Sequence, residues 1–180
     1  ISQHEVRIPG LPDELDGFSI CHWSDLHFSG RLDRGYFREV VAATNRLSAD
    51  LLALTGDVCD HAPYIDWVGE ILSTSEARAG KYFILGNHDL RTRDVARLRA
   101  AMAEAGFADV GGQAITLPDL PLLVAGNERP WFANATLDEQ LRDYTATGFR
   151  LLLAHSPDQI AWAQRHRFDL MLAGHTHGGQ

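Results

Sequence analysis

Short apolar segments alternate along the chain with longer segments in which apolar residues recur at helical spacing. Most of the short segments are continuously apolar, which is typical of strands in sheets that are covered on both faces. The alternation of strands and helices therefore predicts an α/β fold. The predicted strands are Phe18–Ser24, Leu51–Thr55, Tyr82–Leu85, Leu122–Ala125, Leu151–Ala154 and Leu170–Ala173, with a further strand near Ala114–Leu117.

Helical spacing is clearest in two segments, each of which predicts one buried stripe on a helix. The first stripe contains Phe37, Val40, Val41, Thr44 and Leu47, and the second contains Val95, Leu98, Met102 and Ala105. Weaker patterns predict further helices at Ile65–Leu72, Leu137–Tyr144 and Asp158–Arg165. Between two β-like segments, the run Pro118-Asp119-Leu120-Pro121 indicates a hairpin connection.

Length and charge narrow the class of protein. The 180 residues fit one domain, which is long enough to bury a core without disulfides or structural metal. The net charge of -8 argues against unspecific nucleic-acid binding, which depends on lysine and arginine. Apolar runs such as Leu51–Leu54 are far shorter than the roughly 20 residues that a membrane helix needs. The chain begins at Ile1 without methionine and ends at Gln180 directly after a glycine-rich run, so we expect a longer natural polypeptide.

Polar clusters follow five of the predicted strands directly. In open α/β sheets, ligands bind outside the carboxyl ends of the strands, so we expect these clusters to converge there. The clusters are Asp25-Leu26-His27, Gly56-Asp57, Gly86-Asn87-His88-Asp89, His155-Ser156 and Gly174-His175-Thr176-His177.

The spacing within two of these clusters suits a shared ligand. Alternate residues that leave a strand project to the same side, so Asp25 and His27 can face one metal, and His175 and His177 form a second convergent pair. The available donors are carboxylate, imidazole and one amide oxygen, without thiolate. Such mixed ligation suits manganese, iron or zinc, and donor chemistry leaves the choice among them open.

In the same order, the five clusters resemble the signature of the calcineurin-like metallophosphoesterases, and the resemblance runs from about Phe18 to Gln180. It implies a four-layer α/β/β/α sandwich with two mixed sheets and metals at the carboxyl ends of the strands. It also implies that residues 1–180 are one such domain, from which the strands that usually complete the second sheet are missing. The implied activity is hydrolysis of a phosphodiester, phosphomonoester or pyrophosphate, with a hydroxide that bridges two metals as the nucleophile.

The resemblance also implies a role for each polar residue. One metal would be held by Asp25, His27, Asp57 and His177, and the other by Asp57, Asn87, His155 and His175. Asp57 would therefore bridge the two ions. His88 would lie over the substrate phosphate and stabilise or protonate the leaving oxygen, and Asp89 would orient His88 and keep it protonated.

Flanking residues resemble one branch of this superfamily, the bacterial membrane-associated phosphodiesterases and lipid-sugar nucleotide pyrophosphatases. The similar residues are Leu15-Asp16-Gly17, His155-Ser156-Pro157-Asp158 and the terminal Gly-His-Thr-His-Gly-Gly-Gln. The branch implies a small-molecule or lipid-linked phosphoester as substrate, and membrane association through segments outside this chain. Serine/threonine protein phosphatases fit less well, because they carry Gly-Asn-His-Glu where this chain has Gly86-Asn87-His88-Asp89.

Several residues near the clusters have two interpretations. Asp60 is a partner for a ligating imidazole or a loop cap, and Cys59 is a buried apolar residue. Arg129 and Trp131 contact substrate, or are a surface arginine and a packed tryptophan. For His4, His22, His61 and His166 we expect no direct chemical role. At the level of the whole protein, the alternative to an enzyme is an inactive metal-binding or protein-interaction module of the same fold.

Overall fold

A computed structural model describes residues 2–133, 136–143 and 148–177. Four of its strands form a first sheet in which the spatial order follows the chain order. These strands are β1 (Ile20–Trp23), β2 (Leu51–Thr55), β3 (Lys81–Ile84) and β4 (Phe107–Asp109). Each neighbouring pair is parallel. Parallel pairing is expected here because a helix connects each strand to the next.

A second sheet also keeps the chain order, with β5 (Ala114–Thr116), β6 (Leu122–Asn127), β7 (Phe149–Ala154) and β8 (Leu170–Ala173). β5 pairs antiparallel with β6, and the other two pairs are parallel. The predicted hairpin at Pro118–Pro121 is therefore confirmed. Both sheets were expected to be mixed, but among the described strands only this second sheet is, because the hairpin is the one short connection between neighbouring strands within a sheet.

Five helices accompany the strands in the part of the chain that the structure describes. They are α1 (Arg34–Asn45), α2 (Ile65–Leu72), α3 (Val95–Glu104), α4 (Leu137–Asp143) and α5 (Ile160–Arg165). Asp33 and Asp94 cap α1 and α3 by accepting backbone N–H groups of the first turn. The predicted stripes fall on α1 and α3 apart from their last members: Ala105 caps α3 and is buried, but Leu47 lies beyond the end of α1 and is exposed, so its place in the first stripe was wrong. Tyr144, the expected end of the fourth helix, lies outside the described residues.

Alternation along β2 explains the layering. Leu52 and Leu54 face a core that contains residues of α1, α2 and α3, whereas Leu51 and Ala53 face a core shared with β7 of the other sheet. A third core lies between the second sheet and helices α4 and α5. The order helix, sheet, sheet, helix confirms the predicted four-layer sandwich. It also explains why the strand sequences are continuously apolar, since both faces of each sheet are covered.

Two further findings concern the elements themselves. β4 was not predicted, because its sequence Phe-Ala-Asp is short and ends in a charged residue, so it does not form a continuous apolar run. No helix in the described ranges is both long and apolar enough to cross a membrane. For the site, the important feature is that the carboxyl ends of β1, β2, β3, β7 and β8 lie at the same end of the sandwich.

Candidate metal centre

Hydrogen bonds tie together the loops that follow four of these strands. The N–H groups of Asp25 and His27 donate to the carbonyl oxygens of Gly56 and Asp57, at 3.1 and 2.9 Å. From the second sheet, His155 Nδ1 lies 2.7 Å from the carbonyl oxygen of Thr55. The N–H of His175 donates to Asp25 Oδ2 at 3.1 Å. The loops that carry the predicted ligands are therefore fixed to one another across the two sheets.

The backbone of these loops is unusual. Eight non-glycine residues with positive φ occur among the described residues, and five of them are predicted ligands: Asp25, His27, Asp57, His175 and His177, at 55°, 47°, 53°, 69° and 47°. Only a few per cent of non-glycine residues adopt this conformation. Such residues persist where the surrounding structure fixes them, and they cluster at functional sites. The backbone of these loops therefore adopts a locally disfavoured conformation that brings the side chains together.

Glycines make room for this convergence. A β-carbon at Gly86 would lie 2.7 Å from His155 Nε2 and closer still to Asp57 Oδ1. A β-carbon at Gly56, where φ is +92°, would lie 2.7 Å from His155 Nδ1. Any larger residue at either position would displace a predicted ligand.

The first group of converging side chains is Asp25, His27 and His177, which we call the outer ligand group; their donor atoms all lie within 4.8 Å of one another. His27 Nε2 is 3.4 Å from His177 Nε2, and His177 Nε2 is 3.5 Å from Asp25 Oδ1. The side chain of His177 is 52% exposed. This group therefore opens to solvent.

The second group is Asp57, His155 and His175, which we call the inner ligand group and which meets the same 4.8 Å limit. His155 Nε2 is 3.3 Å from Asp57 Oδ2 and 3.1 Å from Asn87 Oδ1, so Asn87 also reaches this group. The side chain of His155 is fully buried.

Asp57 joins the two groups. Its Oδ2 atom lies 3.3 Å from His155 Nε2 and 3.8 Å from His27 Nε2, while its Oδ1 atom accepts the N–H of His88 at 2.8 Å. Burial acts to raise the pKa of Asp57, but the hydrogen bond and charge of His155 outweigh it and hold the pKa below its ordinary value. Burial acts to lower the pKa of His155, but Asp57 raises it overall.

The donor atoms are oriented as metal ligands require. His155 uses Nδ1 for the Thr55 carbonyl and His27 uses Nδ1 for Asp60, so each directs Nε2 toward Asp57. A ligating histidine is commonly held in this way through its other ring nitrogen. The carboxylate, imidazole and amide donors, packed in a cradle that side chains at Gly56 or Gly86 would fill, fit manganese, iron or zinc.

Asp60 holds two imidazoles. Its Oδ1 atom lies 2.8 Å from His27 Nδ1 and 2.9 Å from His88 Nδ1, and the two rings meet edge to face at 4.6 Å. Burial acts to raise the pKa of Asp60, but its hydrogen bonds to the two histidines lower it overall. Of the two interpretations of Asp60, the structure therefore supports that of a partner for a ligating imidazole.

The predicted contact between Asp89 and His88 is corrected by the structure. Asp89 is fully buried, and its carboxylate accepts the N–H groups of Cys59 at 2.9 Å and Gly86 at 2.8 Å. Burial raises the pKa of Asp89 to about 7. Asp89 begins a tight helical turn directly after His88, so the two side chains leave the backbone in different directions. The sequence feature that could have identified Asp60 as the partner of His88 is the short loop after β2, which carries both Asp57 and Asp60.

One charged and one aromatic residue, Arg129 and Trp131, follow β6. The indole of Trp131 contacts His155 and His175, each at a centroid distance of 5.2 Å, so Trp131 borders the inner ligand group. Arg129 instead pairs with Asp138 at 2.9 Å. The structure thus separates two residues that the sequence offered together as substrate contacts.

The four histidines that we expected to have no chemical role lie in ordinary surroundings, and His4 is simply exposed. His22 Nε2 is 2.8 Å from Thr55 Oγ1, His61 is exposed beside Tyr64, and His166 stacks on Trp162 at 4.2 Å. Cys59 is buried, and burial raises the pKa of its thiol to about 12, which agrees with a structural role.

Comparison with known proteins gives a matching family model and several similar proteins. A family model described as calcineurin-like phosphoesterase matches residues 18–179. The chain is 29% identical over 185 residues to the metallophosphoesterase YkuE of Bacillus subtilis (strain 168), covering 99% of this chain and 65% of that protein. It is 28% identical over 180 residues to the phosphodiesterase YaeI of Escherichia coli (strain K12), covering 97% and 66%.

Two further similarities add context. A transmembrane protein with a metallophosphoesterase domain from Danio rerio is 27% identical over 196 residues, which cover 98% of this chain and 44% of that protein. The chain thus spans less than two thirds of the length of these three relatives. The crystal structure of the protein TT1561 from Thermus thermophilus shares the fold, with a TM-score of 0.57 at 16% identity over 86% of this chain and 80% of that one.

Proposed function

The chain belongs to the calcineurin-like phosphoesterase family, and we propose that it hydrolyses phosphate esters or phosphoanhydrides with two metal ions. The observation that carries the proposal is the position of Asp57 Oδ2 between His155 Nε2 at 3.3 Å and His27 Nε2 at 3.8 Å. A carboxylate shared by two ligand groups can bridge the two ions of a dinuclear centre.

We assign the ions to the two groups described above. Asp25, His27 and His177 would hold one ion together with Asp57, and His155, His175 and Asn87 would hold the other together with Asp57. When bound, the ions supply Lewis acidity, which activates water and offsets negative charge on the phosphoryl oxygens. Without the ions, two carboxylates and four imidazoles would lie close together in one site with no cation between them.

His88 is the residue that we assign to the leaving group. Asp60 holds the ring through Nδ1 at 2.9 Å, so Nε2 is the nitrogen that can donate a proton to the departing oxygen. One of its ring nitrogens also lies within 4.8 Å of donor atoms of His27 and Asp57, which supports a position beside the proposed centre. The presence of this side chain favours an enzyme over an inactive module of the same fold.

Metal counting combined with hydrolysis tests the proposal. We expect elemental analysis to give two ions per chain, and hydrolysis of a nitrophenyl phosphodiester to stop on chelation and return when manganese, iron or zinc is added back. In a matched pair of variants, His155→Ala should lose metal and activity, whereas His61→Ala should keep both because His61 is exposed and outside the ligand groups. One ion per chain, or activity that survives chelation, would contradict the proposal.

We further propose that diesters or pyrophosphates, free or lipid-linked, are better substrates than phosphoproteins. YaeI is named a phosphodiesterase, and the Danio rerio relative is named a transmembrane protein. Segments outside this chain would then place the domain next to a membrane. The test compares kcat/KM for a nitrophenyl diester, a nucleotide-sugar pyrophosphate and a phosphoserine peptide, on a protein extended beyond Gln180. A preference for the peptide would overturn the substrate class and leave the metal chemistry intact.

A further inference from the structure

We propose that Trp131 forms an aromatic subsite beside the inner ligand group, which binds a flat ring, such as a nucleobase or aryl group, attached to the substrate phosphate. The proposal rests on the hydrolase function proposed above. Trp131 would then determine substrate specificity, at a wall of the site to which the two ligand groups do not contribute.

The position of the indole supports this role. Trp131 meets His155 and His175 at centroid distances of 5.2 Å, with interplanar angles of 67° and 51°. Neither contact is a parallel stack, so neither imidazole covers the indole face as a stacked ring would. Trp131 is also partly exposed. An aromatic surface next to two proposed metal ligands can therefore contact a group attached to the phosphate that the metals hold.

The loop that carries Trp131 is anchored on both sides. Before it, the buried Glu128 accepts the N–H of Leu85 at 2.6 Å and pairs with Arg99 at 2.7 Å, and its carbonyl oxygen accepts the N–H of Trp131 at 3.1 Å. After it, Phe132 packs against the first core, with the guanidinium of Arg99 5.5 Å from its ring centroid. A side chain held in place before binding loses little conformational entropy when a ligand stacks on it.

Arg129, two residues before Trp131, is directed away from the subsite. Its guanidinium is engaged by Asp138 and lies 5.9 Å from the ring centroid of Trp162, on the side of α4 and α5. Arg129 therefore adds no cationic contact beside the indole, and we expect the subsite to select flat rings rather than additional phosphates. Stacking of a base on an aromatic side chain corresponds to roughly a tenfold effect or more on affinity.

The competing interpretation is that Trp131 only shields His155 and His175 from water. Shielding requires apolar bulk, whereas stacking requires a flat ring, so two variants separate the roles. Trp131→Phe keeps a ring, and Trp131→Leu keeps bulk without one. Trp67→Ala serves as the control, because Trp67 lies on α2 beside Tyr64 and Arg34.

The first experiment uses two diesters with the same nitrophenolate leaving group, nitrophenyl phenyl phosphate and nitrophenyl methyl phosphate, on the metal-loaded protein. A phenyl group also activates the phosphorus more than a methyl group does, so the wild-type ratio serves as the reference. We expect the phenyl-over-methyl ratio of kcat/KM to fall about tenfold in Trp131→Leu and to stay at the wild-type value in Trp131→Phe and Trp67→Ala. A ratio that Trp131→Leu leaves unchanged would overturn the subsite.

A binding experiment keeps the inference separate from the hydrolase proposal. Calorimetry on the metal-loaded protein compares 5′-AMP with ribose 5-phosphate, which lacks the base. We expect about tenfold tighter binding of 5′-AMP, lost in Trp131→Leu and kept in Trp131→Phe. If no ester is hydrolysed but this difference is found, the hydrolase proposal fails and the subsite stands. Equal affinity for the two ligands in the wild-type protein overturns the subsite, whether or not esters are hydrolysed.

Discussion

The two ends of strand β2 carry carboxylates with opposite surroundings. Asp50 precedes the strand, and Asp57 follows it. Asp50 accepts the N–H and hydroxyl of Ser19 at 2.8 and 2.7 Å and pairs with Arg78 at 2.8 Å. Asp57 lies among imidazoles that face a second carboxylate, Asp25. One strand thus ends in a structural carboxylate on one side and in a proposed ligand on the other.

The same contrast holds for neighbouring strands. At the amino end of β3, Lys81 Nζ donates to the carbonyl oxygens of Ser75 at 2.9 Å and Ala105 at 2.6 Å. Ahead of β8, Asp169 accepts the N–H of Arg150 at 2.8 Å. Charged groups at this end are held by local hydrogen-bond partners, whereas carboxylates and imidazoles at the carboxyl end converge on one another. The comparison teaches that convergence of polar side chains from several strands marks the candidate site, and that a charged group with its own local partners supports the fold.

The largest effect is expected from exchanging the two carboxylates of β2 for amides, one at a time. Asp57→Asn should weaken both metals and lower kcat/KM on the order of 10⁴-fold, because the Lewis acidity of both ions is lost. Asp50→Asn should keep both metals and the wild-type rate. Elemental analysis and diester kinetics on the two variants make the measurement. Similar rate losses in both would remove the distinction between the two ends.

His88→Ala is expected to have the next largest effect, about 10³-fold on kcat, which is typical of losing a positioned general acid. Both metals should remain bound, because the ligand groups stay complete without His88. Metal content and turnover of a diester check the two halves of this prediction. An unchanged rate would withdraw the catalytic role of His88, and loss of metal would make it a ligand instead.

A smaller effect is expected from Asp60→Asn, because Asp60 acts through His27 and His88 rather than on substrate. Loss of a partner that orients a metal ligand typically costs 10–100-fold in metal affinity or activity. We expect both the affinity for the ion at the outer ligand group and kcat to fall. Metal titration is the discriminating readout, because a purely structural role would lower thermal stability and leave metal affinity unchanged. Asp89→Asn is the contrasting variant, because the Asp89 carboxylate is held by backbone N–H groups, whereas that of Asp60 is held by two histidines.

From the sequence, the apolar pattern predicted covered α/β sheets and the convergence of the polar clusters, whereas the four-layer sandwich and the seven proposed ligands were implied by the resemblance to the metallophosphoesterase signature. Continuous apolar strands predict covered sheets, and parallel strands bring residues such as Asp25 and His155 to one end of the sandwich. The sequence was insufficient where side-chain direction decides. His88 and Asp89 are adjacent, yet only His88 reaches Asp60. Arg129 and Trp131 are two residues apart, yet only Trp131 faces the ligand groups.

The smallest effect, and the sharpest test of the structural end, is the pH dependence of Asp50→Asn. Burial acts to raise the pKa of Asp50, but its bonds to Ser19 and the charge of Arg78 lower it below the ordinary value of 3.8. A carboxyl group with a lowered folded-state pKa contributes stability above its unfolded pKa, and that contribution is lost as the pH falls through the folded value. Asp50→Asn should therefore lower the free energy of unfolding by about 1 kcal/mol near pH 7, roughly 2–4 °C in Tm, because its bonds are partly exposed to solvent. Urea unfolding of the metal-free proteins should show this difference constant above about pH 5 and shrinking below about pH 4, because Asp50 then becomes protonated in the unfolded chain while it stays ionised in the folded protein down to its lowered pKa. A difference that stays the same from pH 7 to pH 3 would mean that the charge of Asp50 does not stabilise the fold.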